Sequence, residues 1–145
     1  MKKILIATLV SVMFISSAFA KKVSVVNSQA LRSFRSDFAG ATNVKWTSMD
    51  TYSWVSFSMK NEQVRAYYDT DGSLIGTGKS IQMDQLPTAS KRAFAKRYSD
   101  YNVNEIMEFT AEYETAYFIS ATNEKETVIL KLEAAGISRM KNSKF

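Results

Sequence analysis

The side chains that could carry acid–base chemistry stand in two close pairs, Asp69/Asp71 and Glu112/Glu114. Two carboxylates facing across a cleft can hydrolyse a glycoside, one as acid and the other as base or nucleophile. Neither pair lies in the mixed polar and aromatic surroundings of a sugar cleft. Asp69-Thr70-Asp71-Gly72 opens like a calcium loop, but position twelve, counted from Asp69, is Ser80 where a glutamate is needed, and the glycine stands fourth rather than sixth. A β-turn is the better reading. Gly76-Thr77-Gly78-Lys79-Ser80 ends like a phosphate loop, yet it lacks the leading glycine at the required spacing and sits in a strand pattern. The chain has no Cys and no His. That removes a thiolate nucleophile, the Ser-His-Asp arrangement, disulfides and the commonest metal ligands. No catalytic residue, metal ligand or cofactor is therefore assigned.

Aromatic and basic residues offer a different chemistry, that of recognition. By strand alternation Tyr52, Trp54, Arg65, Tyr67, Tyr113, Tyr117 and Lys131 share the side opposite the core residues Val55, Phe57, Phe118, Val128, Leu130 and Leu132. Tyr, Trp and Arg anchor protein interfaces because each buries a large rigid area and keeps a polar tip. The same residues are good strand formers that pair across strands without a ligand. Tyr52, Trp54, Arg65, Tyr67, Tyr113 and Tyr117 are the expected binding residues. Lys91, Arg92, Lys96 and Arg97 read as the solvated face of a helix.

These residues need a scaffold, and the spacing predicts one. Ser28 to Ala39 reads as a helix, with Asn27 or Ser28 as its cap, Leu31, Phe34 and Phe38 on one stripe, and Gly40 just past its end. Strands are predicted around Val44 and Trp46, over Tyr52–Met59, over Gln63–Tyr68 and over Ser73–Gln82, with turns at Lys60-Asn61-Glu62 and Asp69–Gly72. A second helix begins at Pro87 and carries Phe94 and Tyr98. Four further strands follow, at Val103–Phe109, Tyr113–Ala121, Glu126–Leu132 and Ile137–Lys141. The halves align at an offset of about 60 residues, Phe34/Phe38 on Phe94/Tyr98 and Asn43-Val44 on Asn102-Val103. The expected fold is α+β: a tandem repeat of a helix plus a four-stranded antiparallel sheet, helices on one face, with repeats at about 27–82 and 83–145.

Residues 1–20 read as a signal peptide. Lys2 and Lys3 precede the apolar run Ile4–Ile15, and Ala18-Phe19-Ala20 fits cleavage after Ala20. The apolar run is too short to span about 30 Å of hydrocarbon. A domain of residues 21–145, periplasmic or secreted, is expected, without stable membrane insertion after cleavage. Losing Lys2 and Lys3 lowers the formal charge from +5 to +3. So small an excess does not call for nucleic acid.

In its order of elements the chain resembles the PepSY-like, beta-lactamase-inhibitor-protein-like domains of secreted and periplasmic proteins of Gram-negative bacteria. The resemblance rests on the leader, on the two helix-plus-strands segments, on Phe34/Phe38 and Phe94/Tyr98 each followed by Asn-Val, and on Val64-Arg65-Ala66-Tyr67-Tyr68-Asp69-Thr70-Asp71-Gly72. It covers nearly all of the chain after the leader. One departure is Leu132-Glu133-Ala134-Ala135-Gly136, where the pattern wants an aspartate turn. The resemblance implies a tandem-repeat α+β fold and protein binding or inhibition, with nothing in the sequence naming a beta-lactamase as target. The expected function is an exported non-enzymatic binding module that presents an aromatic sheet face to an unidentified protein or peptide. The alternatives are a small secreted carboxylate-dependent hydrolase and a structural envelope protein.

Overall fold

A computed structural model describes residues 25–112, 114–133 and 136–140. The leader expected over residues 1–20, Tyr113 and Lys141 lie outside these. The first helix, α1 (Ser28–Asp37), starts where Asn27 Oδ1 accepts from the Gln29 amide at 2.7 Å. It ends before Gly40, whose φ of +93° only glycine adopts cheaply. Strands β1 (Thr42–Ser48), β2 (Tyr52–Met59), β3 (Glu62–Asp69) and β4 (Leu74–Ser80) follow. Lys60 and Asn61, both at positive φ, make the tight β2–β3 turn whose twist suits a hairpin. Asp69 closes the β3–β4 turn by accepting through Oδ1 from the Asp71 and Ser73 amides. After a single 3₁₀ turn at Met83–Gln85 comes α2 (Thr88–Arg97), entered through Pro87. Strands β5 (Asn102–Ala111), β6 (Glu114–Thr122), β7 (Thr127–Glu133) and β8 (Gly136–Arg139) complete the chain.

The strands overturn the expected fold class. A tandem pair of four-stranded sheets, each with its helix, is not what forms. The eight described strands make one antiparallel sheet in the order β1-β2-β3-β4-β5-β6-β7-β8, with two α-helices among the described residues. The physical reason is visible at Gly76 of β4. A Cβ there would lie 2.6 Å from the Thr110 carbonyl oxygen of β5, so the ladder runs on past β4. Stopping at four strands would leave two more rows of amides and carbonyls unpaired.

The described residues divide into two compact units. One holds residues 25–80 with Phe109–Thr115, the other Ile81–Glu108 with 116–140. In the first, Ala30 and Phe34 of α1 and its C-cap Phe38 pack on Trp46, Val55, Phe57, Val64, Ala66 and Tyr68. The Phe57 ring lies 5.1 Å from Phe34 and 4.8 Å from Phe38, centroid to centroid. Burying one such ring contributes roughly 2–3 kcal/mol. In the second unit, Leu86 and Phe94 pack on Ile106, Ile119, Ala121, Val128, Leu130 and Leu132.

Candidate functional site

The hairpin β2–β3 fixes the site. Its register pairs Tyr52 with Asp69, Trp54 with Tyr67 and Ser56 with Arg65, and these six share one face. Val55 with Ala66, and Phe57 with Val64, turn the other way, towards α1. The ladder extends the rows across neighbouring strands. Thr47 of β1 stands beside Trp54, and Gly76 of β4 beside Tyr67. Lys45 stands beside Ser56, and Gly78 beside Arg65. The face opposite α1 therefore carries an aromatic row, Thr47-Trp54-Tyr67-Gly76, next to a basic row, Lys45-Ser56-Arg65-Gly78.

These side chains differ in what they can offer. Tyr67 is only 1% exposed and Tyr52 8%. The Tyr67 ring meets Tyr52 at 6.5 Å and the edge of Phe109 at 5.7 Å. Burial, with Tyr67 beside it, pushes the Tyr52 phenol well above its ordinary pKa of 10.0. Both rings thus form a floor. Trp54 and Arg65 are half-buried, and the Arg65 guanidinium carbon lies 5.8 Å from the centre of the Trp54 ring. This cation–π contact holds the long Arg side chain in one place. Gly76 is required by the floor: a Cβ would sit 2.7 Å from the tip of the Phe109 ring.

The expected six-residue site is only partly assembled. Tyr52, Trp54, Arg65 and Tyr67 come together, and Tyr113 lies outside the described residues. Tyr117 corrects the expectation. It pairs with Leu132 and packs with Ile119, Leu130 and Phe94, so it faces α2. Phe118, expected in the core beside Leu130, pairs with Lys131 on the other side of the sheet. The alternation failed because Ala116 and every residue from Phe118 to Ala121 are buried. A strand covered on both sides has no polar phase to read. Phe109, Lys45 and Ser56 were missed. Gly76-x-Gly78 was the usable signal, two glycines at strand spacing and so on one face.

No group of three or more Asp, Glu, His or Cys side chains among the described residues is placed to hold a metal ion. No described helix is long and apolar enough to cross a membrane. A shallow pocket bounded by Gly40, Asn43, Ser58 and Gln63 is polar, but Asn43 and Gln63 already donate to Ser58 Oγ.

No protein-family model and no curated protein matches the sequence. Solved structures do match. A BLIP-like protein from Bacteroides fragilis superposes with a TM-score of 0.64 at 16% identity, over 85% of this chain and 94% of that one. The chain shares the fold of that protein. A DUF2874 family protein from Bacteroides uniformis and a "putative periplasmic" protein from Bacteroides eggerthii each superpose with a TM-score of 0.69, at 14% and 15% identity. Each covers 83% of this chain and 94% of the other. Such identities establish the fold. The BLIP-like half of the sequence resemblance thus agrees with the structure, and the neighbours do not extend this to PepSY.

On this BLIP-like sheet the best-formed carboxylate contact is structural. Glu126 accepts from Arg139 through both oxygens, at 2.9 and 2.6 Å, and Tyr101 donates to its Oε1 at 2.7 Å. The Arg139 and Tyr101 hydrogen bonds hold the Glu126 carboxyl below its ordinary pKa of 4.5. A depressed carboxyl adds stability that is present above about pH 4.5 and lost as pH falls through the lower folded value. Arg139→Gln should therefore lower Tm slightly at pH 7, by a difference that shrinks as pH falls below 4.5. Thermal melts between pH 2 and pH 8 check this. Equal losses at every pH would exclude the ionic contribution.

Proposed function

We propose that this chain is an exported, non-enzymatic binding module of the PepSY-like and BLIP-like kind. It presents the β2–β3 sheet face to a protein partner, with inhibition of that partner as the outcome. The observation that carries the reading is the Trp54–Arg65 pair, half-buried above the buried floor of Tyr52, Tyr67 and Phe109. A rigid floor spares a partner the entropy of ordering the surface it meets. An indole held against a guanidinium supplies the two side chains most often found at the centre of protein interfaces. The BLIP-like and "putative periplasmic" names of the fold neighbours support an inhibitor-like role outside the cytoplasm.

The test is photo-crosslinking in the native cell envelope. A benzoylphenylalanine at Thr47, beside Trp54 on the same face, should trap a discrete partner, and the same residue at Arg92 on α2 should not. Trp54→Ala should weaken capture of that partner about thirtyfold or more, as removal of a central anchor does. Capture that is equal from both positions, or indifferent to Trp54→Ala in a folded protein, would remove the face from the proposal.

A further inference from the structure

The α1–β1 corner and the β2–β3 turn bound a pocket of about 440 Å³. That volume falls within the roughly 300–1,000 Å³ of small-molecule sites, which are mostly apolar with a few polar groups. Here the proportion is reversed. Thr42, Asn43, Ser58, Lys60, Asn61 and Gln63 bring hydroxyls, carboxamides and one ammonium, and Met59 brings the one large apolar side chain. No carboxylate stands among these lining residues. Ser58 Oγ accepts from Asn43 Nδ2 at 3.2 Å and from Gln63 Nε2 at 2.5 Å. A hydroxyl has two acceptor sites and one donor. Both acceptor sites are taken, so the Ser58 hydrogen is left to donate. The Asn43 and Gln63 amide oxygens receive no hydrogen bond among the described residues. Three neighbouring strands thus offer one donor between two acceptors, and Ser58 already holds both amides in place. A bulge brings Asn43 there. The β1–β2 register slips by one residue between Thr42 and Lys45, and Asn43 takes a φ of +54°. Bulges re-aim side chains, and left-handed backbone costs energy at any residue but glycine.

We infer that this pocket binds an uncharged sugar ring through adjacent hydroxyls. Each sugar hydroxyl both donates and accepts, so neighbouring hydroxyls can accept from Ser58 and donate to Asn43 and Gln63 together. A lipid chain or an apolar peptide would find only Met59 to pack on, and a cation would find no carboxylate. Ser58 lies four residues along β2 from Trp54, about 13 Å at strand rise. The sugar site therefore stands whether or not the Trp54–Arg65 pair engages a protein.

The probe is a panel of methyl glycosides of glucose, galactose, mannose and N-acetylglucosamine, titrated into isotope-labelled protein and followed by NMR. At least one is expected to shift the Asn43, Asn61 and Gln63 side-chain amides, with a Kd of about 1 mM. Asn43→Gly keeps the left-handed backbone while removing the amide. It and Gln63→Ala should each weaken binding about tenfold, the effect of one lost hydrogen bond. Adding about 0.5 M salt should change nothing, because no ion pair is there to screen. Trp54→Ala should leave binding intact. So should Asn104→Ala, in the amide–hydroxyl cluster with Ser120 and Thr122. A panel that shifts none of these amides would overturn the inference. Binding that survives Asn43→Gly combined with Gln63→Ala, or that is abolished by salt or by Trp54→Ala, would overturn it too. Circular dichroism of each variant separates lost binding from lost fold.

Discussion

Gly72→Ala should cost about 3 kcal/mol of stability, although the change adds a single methyl group at a surface turn. Two effects combine. Gly72 has a φ of +82°, where an L-residue pays roughly 1–2 kcal/mol. The new Cβ would also lie 2.6 Å from the Ala30 backbone nitrogen and 2.6 Å from Gln29 Cβ. Backbone in the first turn of α1 cannot swing aside, so relief requires the helix to lift from the turn, at an overpacking cost of roughly 1–3 kcal/mol. Lifting it strains the Ser33 Oγ hydrogen bond to the Gly72 carbonyl and the Asn27 bond to the Thr70 carbonyl. A fall in Tm of roughly 10 °C is expected for a domain of this size. Gly40→Ala is the control: its φ is +93°, but nothing lies within 4 Å of the added atom. It should lose only the conformational part, about 1 kcal/mol. Equal losses at the two glycines, measured by urea unfolding, would show that the contact with α1 does not matter.

Phe57→Ala should be at least as damaging, at about 3–5 kcal/mol. The ring is fully buried and touches Phe34 and Phe38, so truncation opens a cavity under α1 that the sheet cannot close. Tyr68→Phe nearby gives the contrast. The Tyr68 hydroxyl is buried with no hydrogen-bond partner among the described residues, and burial, with Asp37 beside it, raises its pKa. Removing that oxygen takes away a desolvation cost of about 1 kcal/mol and no hydrogen bond, so stability should hold or rise. Denaturant midpoints for both variants, at a common m-value, decide the matter. A Phe57→Ala loss below 1 kcal/mol would mean that α1 collapses onto the gap.

The local elements were legible because their signals are short-range. Asn27 and Gly40 mark the two ends of α1, Pro87 marks the entry to α2, and Ser53–Ser58 alternates between a buried and a half-open side. The β2–β3 part of the site followed from that alternation. What the sequence concealed depended on which strands meet. Repeated order in the chain read as a tandem of four-stranded units, because nothing local distinguishes an edge strand from one that continues the ladder. The β6 phase was lost where Ala116 and Phe118 to Ala121 are buried without a polar beat. Phe109 joined the site unannounced, since its role appears only once Gly76 brings β4 beneath it.

The strictly sequential order of the sheet carries a consequence for how the chain is made. Each strand finds its ladder partner in the segment just before or just after it, with the longest excursion the one through α2. Contact order is therefore low for a protein so rich in strand, and low contact order goes with fast folding. A polypeptide made from its N-terminus can zip hairpin by hairpin as it emerges. No early strand has to wait, sticky and unpaired, for the last one to arrive.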